Sequence, residues 1–227
     1  MKDVKRELKE TYDSIAPFFS MKRQFLWHPM ESFLKEVSPC SILDLGCGTG
    51  RAMIAGIRLG SRMTGFDISG GQLDMAERNL HDAGLLDGYE LVRGDLEDLP
   101  FADETFDAVL MIASLHHIPT RKGRITALSE ARRVLKDRGR LQVSVWSWDQ
   151  DRFRERHMSL IRGERKPDGF DGPEPGDVFV PWNEGGRKMR FYHLYGHHEL
   201  EEEVKEAGLI LERAYFDRRN HWVECRR

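Results

Sequence analysis

The chain predicts an α/β fold in which mostly parallel strands are covered by helices on both faces. Three observations carry this reading: short apolar runs alternate with helical patterns from residue 41 to 146, a glycine-rich loop joins the first such run to its helix, and two strand-like runs around a polar turn close the chain. At 227 residues, with 40% hydrophobic and 32% charged, the chain can bury one full core, and it lacks the depleted composition of a disordered protein.

Val4, Leu8, Tyr12 and Ile15 form one apolar stripe of an N-terminal helix that Pro17 is expected to limit. An aromatic connector with Phe18, Phe19, Phe25 and Trp27 leads to a helix carrying Met30, Phe33 and Leu34. After Pro39, Ser41-Ile42-Leu43-Asp44-Leu45 reads as a strand, Gly46 to Gly50 as a loop and Arg51 to Leu59 as a helix. Met63 to Asp67 is a second strand, and Ser69 with Gln72 three residues later forms a capping-box signature for a helix reaching Leu80. Tyr89 to Arg93 and Phe106 to Ile112 give two further strands around an acidic loop. Ile125, Leu128, Ala131 and Val134 mark a helix, and Arg138-Gly139 turns the chain into a strand from Leu141 to Trp146.

Residues 151–196, punctuated by glycines and prolines, break the rhythm and read as a long irregular insertion of functional character. Leu200, Val204 and Ala207 then give a helix closed by Gly208, and Leu209 to Tyr215 with His221 to Cys225 forms a terminal hairpin. The expected organisation is a single domain over 1–227: a helical cap (1–38), a core (39–150), the insertion (151–196) and a closing helix and hairpin (197–227).

The net charge of −3 conceals a split. Residues 1–118 carry −7, residues 119–166 carry +8 and residues 167–227 carry −4, so the acidic total does not exclude a nucleic-acid partner. Either the basic stretch is a solvated helix face or it meets phosphates. Cys40, Cys47 and Cys225 are too few and too scattered for a disulfide framework or a four-ligand metal cluster, so no metal site is expected. The N-terminus has no apolar signal-like run, and no segment approaches the ~18 apolar residues of a membrane span, which together predict a cytoplasmic protein with no membrane partner.

The strongest local signal is Asp44-Leu45-Gly46-Cys47-Gly48-Thr49-Gly50 between strand and helix, with Asp67 ending the second strand 23 positions later. A dinucleotide fingerprint would place its third glycine one residue further on, and Asp44 is a poor neighbour for pyrophosphate but a good one for a cationic ligand. The D-x-G-x-G-x-G pattern, with Asp67 and Gly94-Asp95-Leu96, resembles the class I S-adenosylmethionine-dependent methyltransferases. That resemblance implies a Rossmann-like, seven-stranded sheet with a C-terminal antiparallel hairpin and S-adenosylmethionine as cofactor. Gly46 and Gly48 would meet its methionyl part, Asp67 its ribose, and Asp95 and Leu96 its adenine, with Ile112, Asp44 and Arg23 around the amino-acid end and Tyr12 as a further cofactor-binding residue.

Four further strings lie outside that core: Tyr12 to Ser20, Ser114 to Thr120, Asp177-Val178-Phe179-Val180-Pro181-Trp182, and Arg190-Phe191-Tyr192-His193-Leu194-Tyr195. Together they resemble the tRNA wobble-uridine carboxyl methyltransferases, over about Tyr12 to Trp222. The resemblance implies esterification of 5-carboxymethyluridine in tRNA. A carboxylate acceptor, which ordinarily titrates near pH ~4, is ionised at neutral pH and needs positioning more than a general base. Candidate groups are His116 and Asp177 as catalytic residues and Arg124, Trp182, Arg190, Tyr192 and Asn220 around the acceptor, with His117 read as structural. The basic residues from Arg121 to Lys166 would then follow the RNA phosphates. The family also implies a small zinc-binding activator subunit at the sheet edge formed by the third strand. Two other readings stay open at this level: a methyltransferase of small metabolites such as quinones, and a cofactor-binding scaffold without turnover.

Overall fold

A computed structural model describes residues 4–22, 25–150, 153, 174–184, 186–217 and 219–227. Helices α1 (Val4–Lys22) and α2 (His28–Val37) precede a sheet built from β1 (Ser41–Leu45), β2 (Arg62–Asp67), β3 (Tyr89–Arg93), β4 (Phe106–Ile112) and β5 (Leu135–Trp146). Helices α3 (Arg51–Arg58), α4 (Gly70–Asp82) and α5 (Arg121–Val134) connect them. A separate hairpin of β6 (Asp177–Trp182) and β7 (Lys188–His193) follows, then α6 (Glu199–Glu206), β8 (Ile210–Asp217) and β9 (Asn220–Arg226).

The main sheet has seven strands in the order β3-β2-β1-β4-β5-β9-β8, with β9 antiparallel to both of its neighbours and the other pairs parallel. Side chains of successive strand residues point to opposite faces, and both faces are covered, which is why the central strands read as continuous apolar runs. Leu43, Leu45, Val109 and Met111 pack with Leu128, Ala131 and Val204 of α5 and α6. Their neighbours Ile42, Ala108 and Leu110 pack instead with Met30, Phe33 and Met53 of α2 and α3. The strand order reverses between β1 and β4, so the crevice beyond their carboxyl ends is where an open α/β sheet takes its ligand.

Three expectations are corrected. Helix α1 does not stop at Pro17 but runs on to Lys22. Proline cannot donate to the Asp13 carbonyl, and this carbonyl lies against Gly71 of α4, where a Cβ would stand 2.8 Å from its oxygen. Strand β5 starts at Leu135, opposite Phe106, and bulges before the register resumes at Ala108 and Arg140. Arg138 takes a left-handed conformation (φ 60°) within that bulged stretch, rather than ending a loop. Third, the insertion is not wholly irregular. Val178, Val180 and Trp182 alternate inward on β6, which pairs with β7. Pro181 masks this short period-2 run in the sequence, and a two-stranded ribbon tolerates a proline that a central strand would not.

Candidate active site

The β1–α3 loop turns over the end of the sheet with Gly46, Gly48 and Gly50 all at positive φ. Its first amides, those of Gly46 and Cys47, donate to the Phe66 carbonyl at 2.7 and 3.1 Å, tying the loop to β2. Asp67, at the end of β2, accepts from the Gly48 amide (2.9 Å, Oδ2) and the Ser69 amide (2.9 Å, Oδ1). Ser69 in turn caps α4, its hydroxyl accepting from the Gln72 amide at 3.1 Å. The reciprocal half of the capping box is absent, because the Gln72 side chain donates to the Tyr12 carbonyl instead (3.3 Å).

These groups line one cavity together with Asp44, Asp95, Leu96 and Ile112. Burial pushes the Asp44 carboxyl up to about 7, against the opposing charge of Arg51. Burial likewise raises Asp67 to about 6 despite its amide donors. Two buried carboxylates are thus held in a cavity where a cationic ligand with hydroxyl donors would stabilise their ionised forms. Asp95 accepts from Lys5 of α1 (2.7 Å), which also pairs with Glu97 (2.9 Å). Helix α1 therefore roofs this end of the cavity.

The opposite wall is aromatic. Tyr12, His116, His117, Trp146 and Tyr192 all line the same cavity. Tyr192 stacks on Trp146 with ring centroids 4.2 Å apart and planes at 14°. The His116 Nδ1 accepts the Trp146 amide proton (3.1 Å), which places the ring proton of a neutral His116 on Nε2. Sequence alone does not single out Trp146 or His117 for the site: Trp146 reads as the last residue of an apolar strand, and His117 as a structural neighbour of His116. Arg190 lies behind this wall, 4.9 Å from the Trp182 ring and 5.3 Å from that of Tyr192. It is 4% exposed, lies outside the cavity lining, and its Nε and Nη1 have no hydrogen-bond partner among the described residues.

Other expected acceptor groups stand elsewhere. Arg124 is fully buried in an ion network with Glu203 (2.9 Å) and Glu174 (3.0 Å), away from the cavity lining. Asp177 accepts from His193 Nδ1 at 2.8 Å, and Glu199 accepts from His193 Nε2 at 2.8 Å. Both ring nitrogens therefore face carboxylates. Burial alone would lower the His193 pKa, but these two partners raise it. Glu174, Asp177 and His193 do bring metal-type ligand atoms within 4.8 Å of one another, yet the Arg124 guanidinium already pairs with Glu174. Asn220 sits on β9 opposite Trp146 and lies outside the cavity lining, while Trp182 packs 5.9 Å from Phe19, which lines it. Arg23 lies outside the described residues.

Part of the expected phosphate track along α5 is engaged within the chain, while Lys122 on the same helix is exposed. Arg121 pairs with Glu206 (2.7 Å), Arg132 donates to the Gly208 carbonyl (2.9 Å), and Arg133 pairs with Glu130 and Asp103. These arginines fasten α5 to its surroundings, an outcome that composition cannot distinguish from an exposed basic face. The remaining basic positions, Arg152 to Lys166, lie outside the described residues.

A glycine loop at the switch point, carboxylates ending β2 and following β3, and a sheet closed by an antiparallel hairpin define a class I methyltransferase, an enzyme class whose donor is S-adenosylmethionine. The methyltransferase domain family matches residues 43–143. A solved S-adenosylmethionine-dependent methyltransferase from Methanosarcina mazei shares the fold, with a TM-score of 0.70 at 22% identity over 89% of this chain and 98% of its own. A putative methyltransferase from Encephalitozoon cuniculi is 34% identical over 87% of this chain and 84% of its own length. The tRNA (carboxymethyluridine(34)-5-O)-methyltransferase of Schizosaccharomyces pombe is 30% identical, covering 94% of this chain and 93% of that protein. The chain belongs to this methyltransferase family. Some relatives are longer: the chain spans 34% of the length of a human one that is 33% identical.

Proposed function

We propose that the protein transfers a methyl group to the carboxylate of 5-carboxymethyluridine at the tRNA wobble position, forming the methyl ester. The observation that carries the acceptor side of this reading is Arg190, a buried cation behind the aromatic wall whose Nε and Nη1 have no partner among the described residues. A buried guanidinium in that state calls for an anion, and its planar fork matches a carboxylate.

The residues present fit the donor. Asp67 would take the ribose hydroxyls, Asp95 and the Leu96 backbone the adenine, and Gly46, Gly48 and Ile112 the methionyl part, with Asp44 as a buried carboxylate facing its charge. When bound, S-adenosylmethionine supplies an electrophilic methyl carbon on sulfur. The chain's own work is positional. Arg190 and the Nε2–H of His116 hold the acceptor carboxylate ionised and oriented, while Tyr192 and Trp146 give a nucleobase a flat face to stack on. Helix α1 covers part of the cavity through Lys5, Leu8, Tyr12 and Phe19. Asp177 acts on this wall indirectly, by fixing His193 at the end of the strand that bears Arg190 and Tyr192.

A small zinc-binding activator is part of the proposal. Among the described residues strand β3 is an edge that pairs only with β2, and half-buried Tyr89, Leu91 and Val92 lie along it. The test supplies methyl-labelled donor and total tRNA with and without that subunit, followed by alkali. Base-labile label in tRNA is expected. Alkali-stable label, or label only in small metabolites, would overturn the assignment.

A further inference from the structure

One turn of α1 touches both halves of the cavity. On the donor side, the Asp13 carboxylate accepts from the Ser69 hydroxyl (2.7 Å) and the Gly71 amide (3.0 Å), and the Tyr12 carbonyl accepts from Gln72. Ser69 is itself bonded through its amide to Asp67. A continuous chain of hydrogen bonds thus runs from the Asp67 carboxylate to Asp13.

On the acceptor side the proton positions follow from chemistry. His117 Nδ1 lies 2.7 Å from the Phe191 carbonyl, which can only accept, so Nδ1 carries the proton. Burial drives the His117 pKa down to about 3, so the ring is neutral and Nε2 is an acceptor. The Tyr12 hydroxyl, 2.9 Å away, must therefore donate to Nε2. Its oxygen is left to accept, and the Tyr192 hydroxyl stands 3.4 Å from it, with Arg190 also acting on it. The hydroxyl has one orientation, and that orientation presents lone pairs to the acceptor wall.

We propose that Tyr12 is a positioning residue that couples donor occupancy to the arrangement of Tyr192 and Arg190, with His117 fixing the direction of its hydroxyl. The assignment of this wall to the acceptor rests on the function proposed above. Donor binding at Asp67 firms the Ser69–Asp13 contact, hence the α1 turn, hence the Tyr12 hydroxyl. By linkage, acceptor binding strengthens donor binding by the same factor.

The test measures binding of an anticodon stem-loop containing 5-carboxymethyluridine with and without saturating S-adenosylhomocysteine. The native protein should bind the RNA roughly tenfold more tightly with the donor product present, within the usual range of coupling. In Tyr12→Phe that ratio should fall below about twofold, while affinity for S-adenosylhomocysteine stays within about threefold, since the partners of the lost hydroxyl, His117, Tyr192 and Arg190, all belong to the acceptor wall and the Tyr12 carbonyl keeps its bond from Gln72. His117→Gln, which keeps an acceptor for Tyr12, should retain the coupling, and His117→Ala should lose it. Native coupling in Tyr12→Phe, or independent binding of the two ligands to the native protein, would overturn the proposal. A second arm needs no RNA: a 3-fluorotyrosine placed at position 192 should shift its fluorine resonance on addition of S-adenosylhomocysteine, and should not in the Tyr12→Phe background. No shift in the native background overturns the role of Tyr12. A shift combined with no RNA binding supports that role and overturns the acceptor assignment instead.

Discussion

On the β1–β2 side of the cavity the polar groups are two buried carboxylates, Asp44 and Asp67, the second of them braced by backbone amides. On the hairpin side they are two imidazoles among stacked rings, with the buried Arg190 guanidinium behind them and outside the cavity lining. The first side is assembled mainly from residues 44–72 and the loop after β3, with α1 touching it through Lys5 and Asp13, whereas the second draws its lining from α1, the end of β4, the end of β5 and the β6–β7 hairpin. On the function proposed above, the two ligands would be held by different means: the donor by a local loop whose backbone does much of the binding, the acceptor by side chains that distant segments must bring together. Damage to one side should therefore leave the other side's ligand largely unaffected, except through Tyr12.

The largest expected effect tests that separation. Arg190→Met keeps the apolar stem against Trp182 and Tyr192 but removes the charge, so kcat/KM for tRNA should fall roughly 100-fold, as for loss of a hydrogen-bonded charge worth about 3 kcal/mol. Donor affinity should stay within about threefold. Arg190→Lys should not restore activity, because a point charge does not reproduce the fork. Comparable losses in donor and acceptor binding would show that the two sides are not separable in this way. Asp67→Asn is the converse: donor affinity measured by calorimetry should drop about 30-fold, or ~2 kcal/mol, with the fold retained.

The same division explains how much is legible in the sequence. Asp44, Gly46, Gly48, Asp67, Asp95 and Leu96 can be found because a loop after one strand and acids after the next two are fixed by local geometry, and all six line the cavity. Arg190 and Tyr192 are found through their string, but Arg124 and Arg190 look equivalent in sequence. Only tertiary packing separates them: one guanidinium is paired with Glu174 and Glu203, and the other has two nitrogens without partners. Trp146 and His117 carry no such signal, since one looks like an ordinary strand terminus and the other's role exists only through Tyr12 and Phe191. The β6–β7 hairpin is hidden by the glycines and prolines around it.

A third prediction concerns what supports the hairpin. His193 bridges Asp177 and Glu199, and its folded pKa is raised above that of the unfolded chain. A raised histidine contributes stability that is fully present below its unfolded pKa of ~6.5 and is lost as pH climbs through the folded value. Thermal unfolding followed from pH 6 to 9 should show a falling Tm across this window, and His193→Gln should flatten that fall while lowering stability at pH 6 by about 1–3 kcal/mol. A pH dependence unchanged by the substitution would mean that the clamp is not an imidazolium.

The smallest effect discriminates donor from product. In the ligand-free protein burial raises Asp44 to about 7 and Asp67 to about 6, so both are partly protonated under mildly acidic conditions. A sulfonium favours their ionised forms, and its binding therefore releases protons; affinity must rise with pH up to the free-site pKa values and level off above them. S-adenosylhomocysteine lacks the sulfonium charge and exerts a weaker pull on Asp44. Between pH 5.5 and 8 the ratio of S-adenosylmethionine to S-adenosylhomocysteine affinity should thus increase by up to about tenfold, one pKa unit's worth of interaction. Asp44→Asn should make the ratio nearly independent of pH, whereas Arg190→Met should leave its pH dependence intact. A ratio that is flat in the native protein would show that the donor side senses no charge at sulfur and binds through its amides and Asp67 alone.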